Sequence, residues 1–474
     1  MHRRAVVALV CVGTFMTTLD ASIVNIGLPS IARAFGTPLT GEIEWVMIGY
    51  LVVIAALLLT FGRLSDAVGR RPIWTAGLAV FTLGSALCGA APSLDLLIAA
   101  RAIQGVGSAL ILATSTAILT GAVPPTQRGR ALGLSAAAVS LGVTAGPTVG
   151  GLLTESLSWR WIFYVNVPIG LGAIAATLRV LPRTRGAERR GHFDPAGALL
   201  LAVGVAALNV GLSFGARWGW ISPHLLGTLA LAACAVAGAV LVERRAPNPV
   251  LDLRLFRNRV FVSALVSMTF SMLALFAVSF LLPFYLEELR GFSAARSGQL
   301  LTPYALTIGV VAPIAGAGAD RVGSRWLAPL GLAIAAGGLL LLARLDAASS
   351  TWDVVWRLVV AGIGQSLFQS PNTRAVIGAA PATEQGEASG LLATARVTGQ
   401  ALSVAVAGAV FGTLGGAAAG SALVAWRVAS SHASAPEIAA LQATFVHGFR
   451  AALLVCVAFA TAGALAALVR GRER

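Results

Sequence analysis

The segment GRLSDAVGRRP at 62–72 returns in degenerate form as GAGADRVGSRW at 316–326, aligning Gly62 with Gly316, Asp66 with Asp320, Gly69 with Gly323 and Arg71 with Arg325. Both copies join strongly apolar segments. The chain therefore reads as a duplicated membrane protein. Two parallel copies of a helical bundle, facing each other across a cavity, are the architecture of a transporter that alternates its access.

Composition enters here because it decides the solvent. With 57% hydrophobic and 11% charged residues over 474 positions, and a mean hydropathy of +0.84, the chain cannot bury its apolar surface inside a soluble core. Windows of about 20 residues place spanning helices starting near Ala5, Trp45, Ile73, Leu96, Ala131, Trp161, Gly197, Leu225, Val260, Gln299, Leu327, Val354, Gly390 and Gly448, about fourteen in all. The fold class expected is an all-α polytopic membrane protein.

Arginine orients the bundle. Arg3, Arg4, Arg63, Arg70, Arg71, Arg128, Arg130, Arg183, Arg185, Arg189, Arg190, Arg244, Arg245, Arg254, Arg257, Arg259, Arg470, Arg472 and Arg474 fall in alternate loops or at the termini, which places those loops and both termini in the cytoplasm. The opposite loops hold few, among them Arg33, Arg160, Arg290 and Arg427. The +15 net charge is spread over short loops rather than clustered on one soluble module, so a nucleic-acid partner is not indicated. The apolar run after MHRR lacks a small-residue cleavage site and reads as an uncleaved anchor.

The residue types that carry cofactor chemistry are dispersed. Cys11, Cys88, Cys234 and Cys456 each stand alone in apolar sequence and read as small core residues. The five histidines fall at termini, loops or helix ends, and no metal site is expected. A chain with no lysine has no Walker-type phosphate loop, so no nucleotide cofactor is expected. A membrane enzyme should show clustered His, Asp, Glu or Cys, and none is evident. Glu287 and Glu288 are the nearest acidic pair, expected at an outer helix end facing water.

The repeats lie an even number of spans apart, so they run parallel. DLLIAARAIQGVG from Asp95 echoes in DVVWRLVVAGIGQ from Asp353. If each half has six helices, the surplus pair lies in the middle, giving an N-terminal bundle at 1–182, two inserted helices with linkers at 183–259, and a C-terminal bundle at 260–474.

Within this frame Asp20, in TFMTTLDASIVNIGLP, is the first candidate for function, because an ionised carboxylate inside a span is costly and usually retained for function. A helix starting near Ala5 puts it about 22 Å across a core of about 30 Å, nearer the outside. Arg101, in the fourth span, has descended about 8 Å from that side and shares its depth. A carboxylate moving between a dry environment and a guanidinium can load and release a proton. The alternative is a buried pair that only fixes helix packing. Gln104, one turn from Arg101 on the same face, and Asn25, further toward the mouth of the first helix, are candidates to line a substrate path or to hold helices together.

GVTAGPTVGG at 142–151 and SWRWIFYVNVPIG at 158–170 complete a pattern that resembles the fourteen-span drug:proton antiporters of the major facilitator superfamily, over essentially the whole chain. The first stretch matches the superfamily's antiporter signature and the second this family's sixth-helix entry. The resemblance implies two six-helix bundles plus two central helices, with the first and fourth helices on one cavity. It implies a bacterial plasma-membrane exporter of small amphipathic drugs or antibiotics, exchanged for protons and functional as a monomer. A dedicated transporter of one metabolite, lipid or amino acid is the alternative.

The resemblance also assigns parts. Gly142, Gly146 and Gly150 recur every fourth residue, leaving one helix face without side chains. Such a face alone suits static packing of a neighbour; with Pro147 and Gly151 the resemblance implies instead a bendable seam between the halves. Gly62 and Gly69 are expected to allow tight turns in a cytoplasmic latch where Asp66 meets arginines and a helix N-terminus of the other half. Arg70 and Arg71 belong to that loop, or simply follow the charge rule. The usual basic position is Ala67, which implies a weaker latch. Arg396 and the pair Pro371 and Asn372 match the family's C-terminal half, Arg396 either as an intramembrane charge or by snorkelling. Trp159, Arg160 and Trp161 read as boundary anchors. The stretch from Gly412 to His447 has room for an accessory helix or a partner contact.

Overall fold

The computed structural model describes residues 2–38, 41–124, 127–181, 194–219, 221–243, 253–381, 385–429 and 434–470. In the first half the helices are α1 His2–Phe35, α2 Trp45–Val68, α3 Arg70–Ala90, α4 Leu94–Ala122, α5 Arg128–Ser156, α6 Trp161–Tyr164 and α7 Asn166–Val180. The middle pair is α8 Pro195–Trp218 and α9 Pro223–Glu243. The second half holds α10 Arg259–Phe284, extended by a π-helical turn over Tyr285–Leu289, then α11 Ala294–Val322, α12 Ser324–Leu342, α13 Thr351–Ala379, α14 Gln385–Thr413, α15 Gly416–Ala429 and α16 Ala435–Leu468.

Caps set several boundaries. Ser93 and Ser293 accept N–H groups at the starts of α4 and α11. Ser350 with Asp353, and Ser434 with Glu437, form capping boxes on α13 and α16. Each side chain replaces a partner that the first helical turn lacks.

The duplicated loop is a single-residue break in both copies. Gly69 (φ 105°, ψ 148°) separates α2 from α3, and Gly323 (φ 85°, ψ 152°) separates α11 from α12. Both conformations favour glycine because a Cβ would clash. Gly62, expected to make a turn, instead lies inside α2.

Packing repeats with the sequence. α1 packs on α5 as α10 packs on α14; α2 and α3 pack on α4 as α11 and α12 pack on α13; α3 packs on α7 as α12 packs on α16. The halves meet where α5 packs on α11 and α2 on α14. α8 and α9 pack together, and α8 runs along α2 and α14. There Trp45 stacks on Phe214 at 4.5 Å, and Thr60 donates to the Ala198 carbonyl at 3.2 Å.

Among the described residues, 13 helices are long and apolar enough to cross a membrane. α13 is the remaining long helix, at 29 residues. Its polar groups, including Arg357, Gln365, Gln369 and Asn372, lower its hydropathy while it packs between α11 and α12.

Three expectations shift. α1 continues through Pro29 to Phe35, so Asp20 sits near its middle rather than toward one end. The last long helix begins at Ala435, before Gly448, and α15 fills the preceding stretch against α16. Cys234 is exposed on α9 rather than in the core.

Candidate functional site

Asp20 is enclosed, with 0% of its surface accessible, and Arg101 is 1% exposed. The Arg101 guanidinium donates to Asp20 Oδ2 at 2.7 Å. Asp20 Oδ1 accepts from Gln104 Nε2 at 2.8 Å and from Asn166 Nδ2 at 2.9 Å. Three helices, α1, α4 and α7, thus converge on one carboxylate.

The shell around it is equally fixed. Arg101 also donates to the Val46 carbonyl on α2 at 2.9 Å and to Gln104 Oε1 at 2.6 Å. Gln104 donates to Ser85 Oγ at 2.6 Å. The guanidinium lies 4.0 Å from the centre of the Tyr50 ring, whose hydroxyl donates to Ser108 at 2.9 Å. Burying a charge pair is costly unless its lone pairs and protons are satisfied in this way.

The structure therefore brings Asp20, Arg101 and Gln104 together, with Gln104 fully enclosed as part of the knot rather than lining open space. Asn25 lies apart, buried, its Oδ1 without a partner. Asn166, Ser85 and Tyr50 escape sequence reasoning. Asn166 had a visible signal, an amide inside the apolar run WIFYVNVPIG; Ser85 and Tyr50 had none.

The glycine motif divides between two neighbours. A Cβ on Gly142 would press on Thr18 and Leu19, one on Gly146 would lie 2.5 Å from Ser22, and one on Gly150 2.5 Å from Ile26. All three face α1, in the same half. The seam between halves is made by Gly151, against the Ala294 carbonyl, and by the Pro147 carbonyl, against Gly298. Residues 147 and 151 are one turn apart and about 100° round from the 146 and 150 row, so they form a second face. Thr148 and Thr302 share a 2.5 Å hydrogen bond beside it, and Glu155 accepts the Ala295 N–H at 3.0 Å.

These contacts lie at the end opposite the duplicated loops, and the same end carries a second charged cluster. Arg33 on α1 donates to Glu287 Oε2 at 2.9 Å and lies 4.0 Å from Glu288. Glu287 and Glu288 are 6% and 1% exposed, which corrects the expectation that they face water. The π-helical turn directs both back into the protein, where α15 adds Arg427 bonds to the Glu287 and Leu289 carbonyls.

At the loop end, Arg70 donates to the Ala117 carbonyl at 2.7 Å and Arg71 to the Leu178 carbonyl at 3.1 Å. Both arginines thus tie down helices of their own half, Arg71 at the last turn of α7, where carbonyls are free and the dipole favours a cation. The side chain of Asp66 lies outside the described residues. Among the described residues a bridge between halves here is Arg63 to Glu387, at 3.3 Å from α2 to α14, which sequence reasoning did not find. Arg3, Arg70, Arg71 and Arg179 line a cavity of about 450 Å³ at this end, separate from the Asp20 knot.

Remaining motif residues fall as follows. Asn372 is buried, donating to the Ala264 carbonyl at 2.9 Å and accepting from Arg470. Arg396 is half-buried within α14, its Nε without a partner. Arg160 donates to the Gly89 and Ala91 carbonyls and lies over Trp159, closing the end of α3.

Comparison with known proteins agrees with this architecture. A bacterial homologue of the human lysosomal transporter Spinster, solved in an inward-facing, unoccupied conformation, superposes with a TM-score of 0.69 at 17% identity, over 99% of this chain and 97% of that one. The multidrug resistance protein Stp of Mycobacterium tuberculosis is 36% identical over 86% of this chain and 76% of that protein. The riboflavin transporter RibZ of Clostridioides difficile is 34% identical over 84% and 86%. The tetracenomycin C resistance and export protein of Streptomyces glaucescens is 32% identical over 84% and 74%. Residues 10–404 match the family described as Major Facilitator Superfamily. With that match, the repeated bundle and these relatives, the chain belongs to the Major Facilitator Superfamily and is a multi-pass membrane transporter.

Proposed function

We propose that this transporter exports amphipathic drugs or antibiotics from the cytoplasm in exchange for protons, with Asp20 as the carboxylate that carries the proton. The observation that supports this most is the enclosed knot at Asp20. A carboxylate at mid-helix with its oxygens matched to Arg101, Gln104 and Asn166 changes its preferred charge state whenever one of those partners moves. Helix movement and proton binding are then two sides of one equilibrium.

In this reading the chain sits in a bacterial plasma membrane with both termini in the cytoplasm and works as a monomer. Residues 1–182 and 260–474 are the two rocking bundles, and 183–259 supplies the added pair that lies along α2 and α14. The seam of Gly151 and Pro147 against α11 closes the outer side, which fits an inward-facing state. Gly69, Arg70, Arg71 and Asp66 serve the cytoplasmic gate, where Arg63–Glu387 is an inter-half bridge.

The test uses inside-out vesicles with an imposed proton gradient and a panel of lipophilic cations and neutral antibiotics. Collapse of the gradient by several compounds, lost in Asp20→Asn, is the expected result. Unchanged proton-coupled efflux in Asp20→Asn would sink the coupling role. A second reading, a transporter dedicated to one metabolite, draws support from the riboflavin transporter among the relatives. It predicts a response to one compound class only.

A further inference from the structure

Glu287 and Glu288 form another buried acidic site in the bundle, and the Asp20 mechanism does not use them. They occupy the π-helical turn Tyr285–Leu289 that ends α10; a π turn inserts an extra residue and is frequent at functional sites because it re-aims side chains. Here it turns two successive carboxylates inward, with side-chain exposures of 4% and 1%.

Their partners are too few. Arg33 from α1 is in ion-pair range of both. Oε1 of Glu287 and Oε1 of Glu288 have no hydrogen-bond partner. Of the other charges facing the pair, Glu155 from α5 is of like sign and Arg427 from α15 bonds the backbone carbonyls of the turn. From α11, Arg296 lies over the Phe292 ring; from α16, Arg450 is engaged with the Ala343 carbonyl. The three carboxylates Glu287, Glu288 and Glu155 face the two guanidinia of Arg33 and Arg427, which leaves one negative charge in excess, and one bound proton removes it.

Position makes this consequential. Arg33 belongs to the first half and the glutamates to the second, so the ion pair crosses the outer seam beside the Gly151–Ala294 contact. We propose that Glu287 and Glu288 are a second proton-binding site, facing the outside, at which proton uptake releases Arg33 and lets the outer seam part. This rests on proton-driven export for its place in the transport cycle. The step balances simply: a proton from the external medium joins one carboxylate oxygen, the Arg33 bridge loses its charge partner, and no covalent bond changes. An exporter that must open outward to discharge its cargo would then be drawn open from the side where protons are abundant.

Hydrogen–deuterium exchange on the full chain in nanodiscs, corrected for intrinsic rates, tests the site without needing a transported compound. Exchange in peptides covering 30–38, 151–160 and 285–298 is compared at pH 5.5 and 7.5. Wild type is expected to exchange several-fold faster at the lower pH. Glu287→Gln with Glu288→Gln should exchange fast at both. Arg33→Gln, which removes the same bridge from the other half, should likewise exchange fast at both. Asp20→Asn should keep the wild-type response. A pH response unchanged in both the glutamate and the Arg33 variants, or lost only in Asp20→Asn, overturns the proposal. Failure of the antiport reading would appear separately, as absent proton flux with the exchange response intact.

Discussion

Asp20 and the Glu287–Glu288 pair are both buried carboxylates beside an arginine, yet one is fully matched within a single half and the other is undermatched across two. Asp20 receives three side-chain donors, all from α4 and α7 of its own bundle. The glutamates share Arg33, and that bond exists only while the ends of α1 and α10 are together. A site held inside one rigid unit survives rocking of the halves, whereas a site split between them is made and broken by it. The first suits the proposed carrier of charge and the second the proposed gate.

Removing each arginine should separate them most sharply. Arg101→Leu leaves Asp20 enclosed with amides alone, and breaking a buried pair from one side typically costs about 3–5 kcal/mol. Arg33→Leu should cost less than about 1 kcal/mol, since Arg33 is half exposed and the glutamates can take up protons instead. Thermal unfolding in detergent at pH 7 measures both. Equal losses would erase the distinction. Asp20→Asn combined with Arg101→Leu should recover part of the Arg101 loss, because the stranded charge is gone.

The sequence makes the Asp20 site partly legible because charge inside a span is rare enough to be read singly. Asp20 and Arg101 share a depth, and the structure joins them. Asn166 and Ser85 stay hidden because an amide or hydroxyl on an apolar helix has no fixed partner until crossing angles are known. The fold was more legible than the site. The aligned glycines 69 and 323 have matching positive φ values, since only that conformation turns one helix directly into the next. The burial of Glu287 and Glu288 was not legible, because a π turn leaves no periodic signature, and one extra residue swings the side chains that follow by about 100° round the axis.

The two rows of the glycine motif extend the comparison to packing. Gly146→Ala would place a methyl 2.5 Å from Ser22 inside the first half, and overpacking of that kind costs about 1–3 kcal/mol. Gly151→Ala would press on the Ala294 carbonyl across the seam, where the halves can part to relieve it. Unfolding temperature should therefore fall in Gly146→Ala and hold in Gly151→Ala. Exchange in peptide 285–298 should rise only in Gly151→Ala. A large stability loss in Gly151→Ala would show that the seam is as rigid as the interior of a half.

Glu44 tests the smallest difference, because it belongs to one half by its hydrogen bond and touches the other by packing. It precedes α2, is 6% exposed, accepts the Gly41 N–H at 3.1 Å and abuts Gly408 of α14. Burial pushes its carboxyl up to about 8 from an ordinary value of 4.5, with the Gly41 N–H pulling the other way. The folded protein thus holds this proton more tightly than the unfolded chain does. Its contribution to stability is fully present below about 4.5 and is lost as pH rises through about 8. Glutamine at this position keeps the shape and does not titrate. Glu44→Gln should match wild type near pH 5 and exceed it by about 1–3 kcal/mol near pH 8.5, measured by thermal unfolding at the two pH values. If the gain were equal at both, burial of charge would not be the cause, and the contact with Gly408 would be a matter of shape alone.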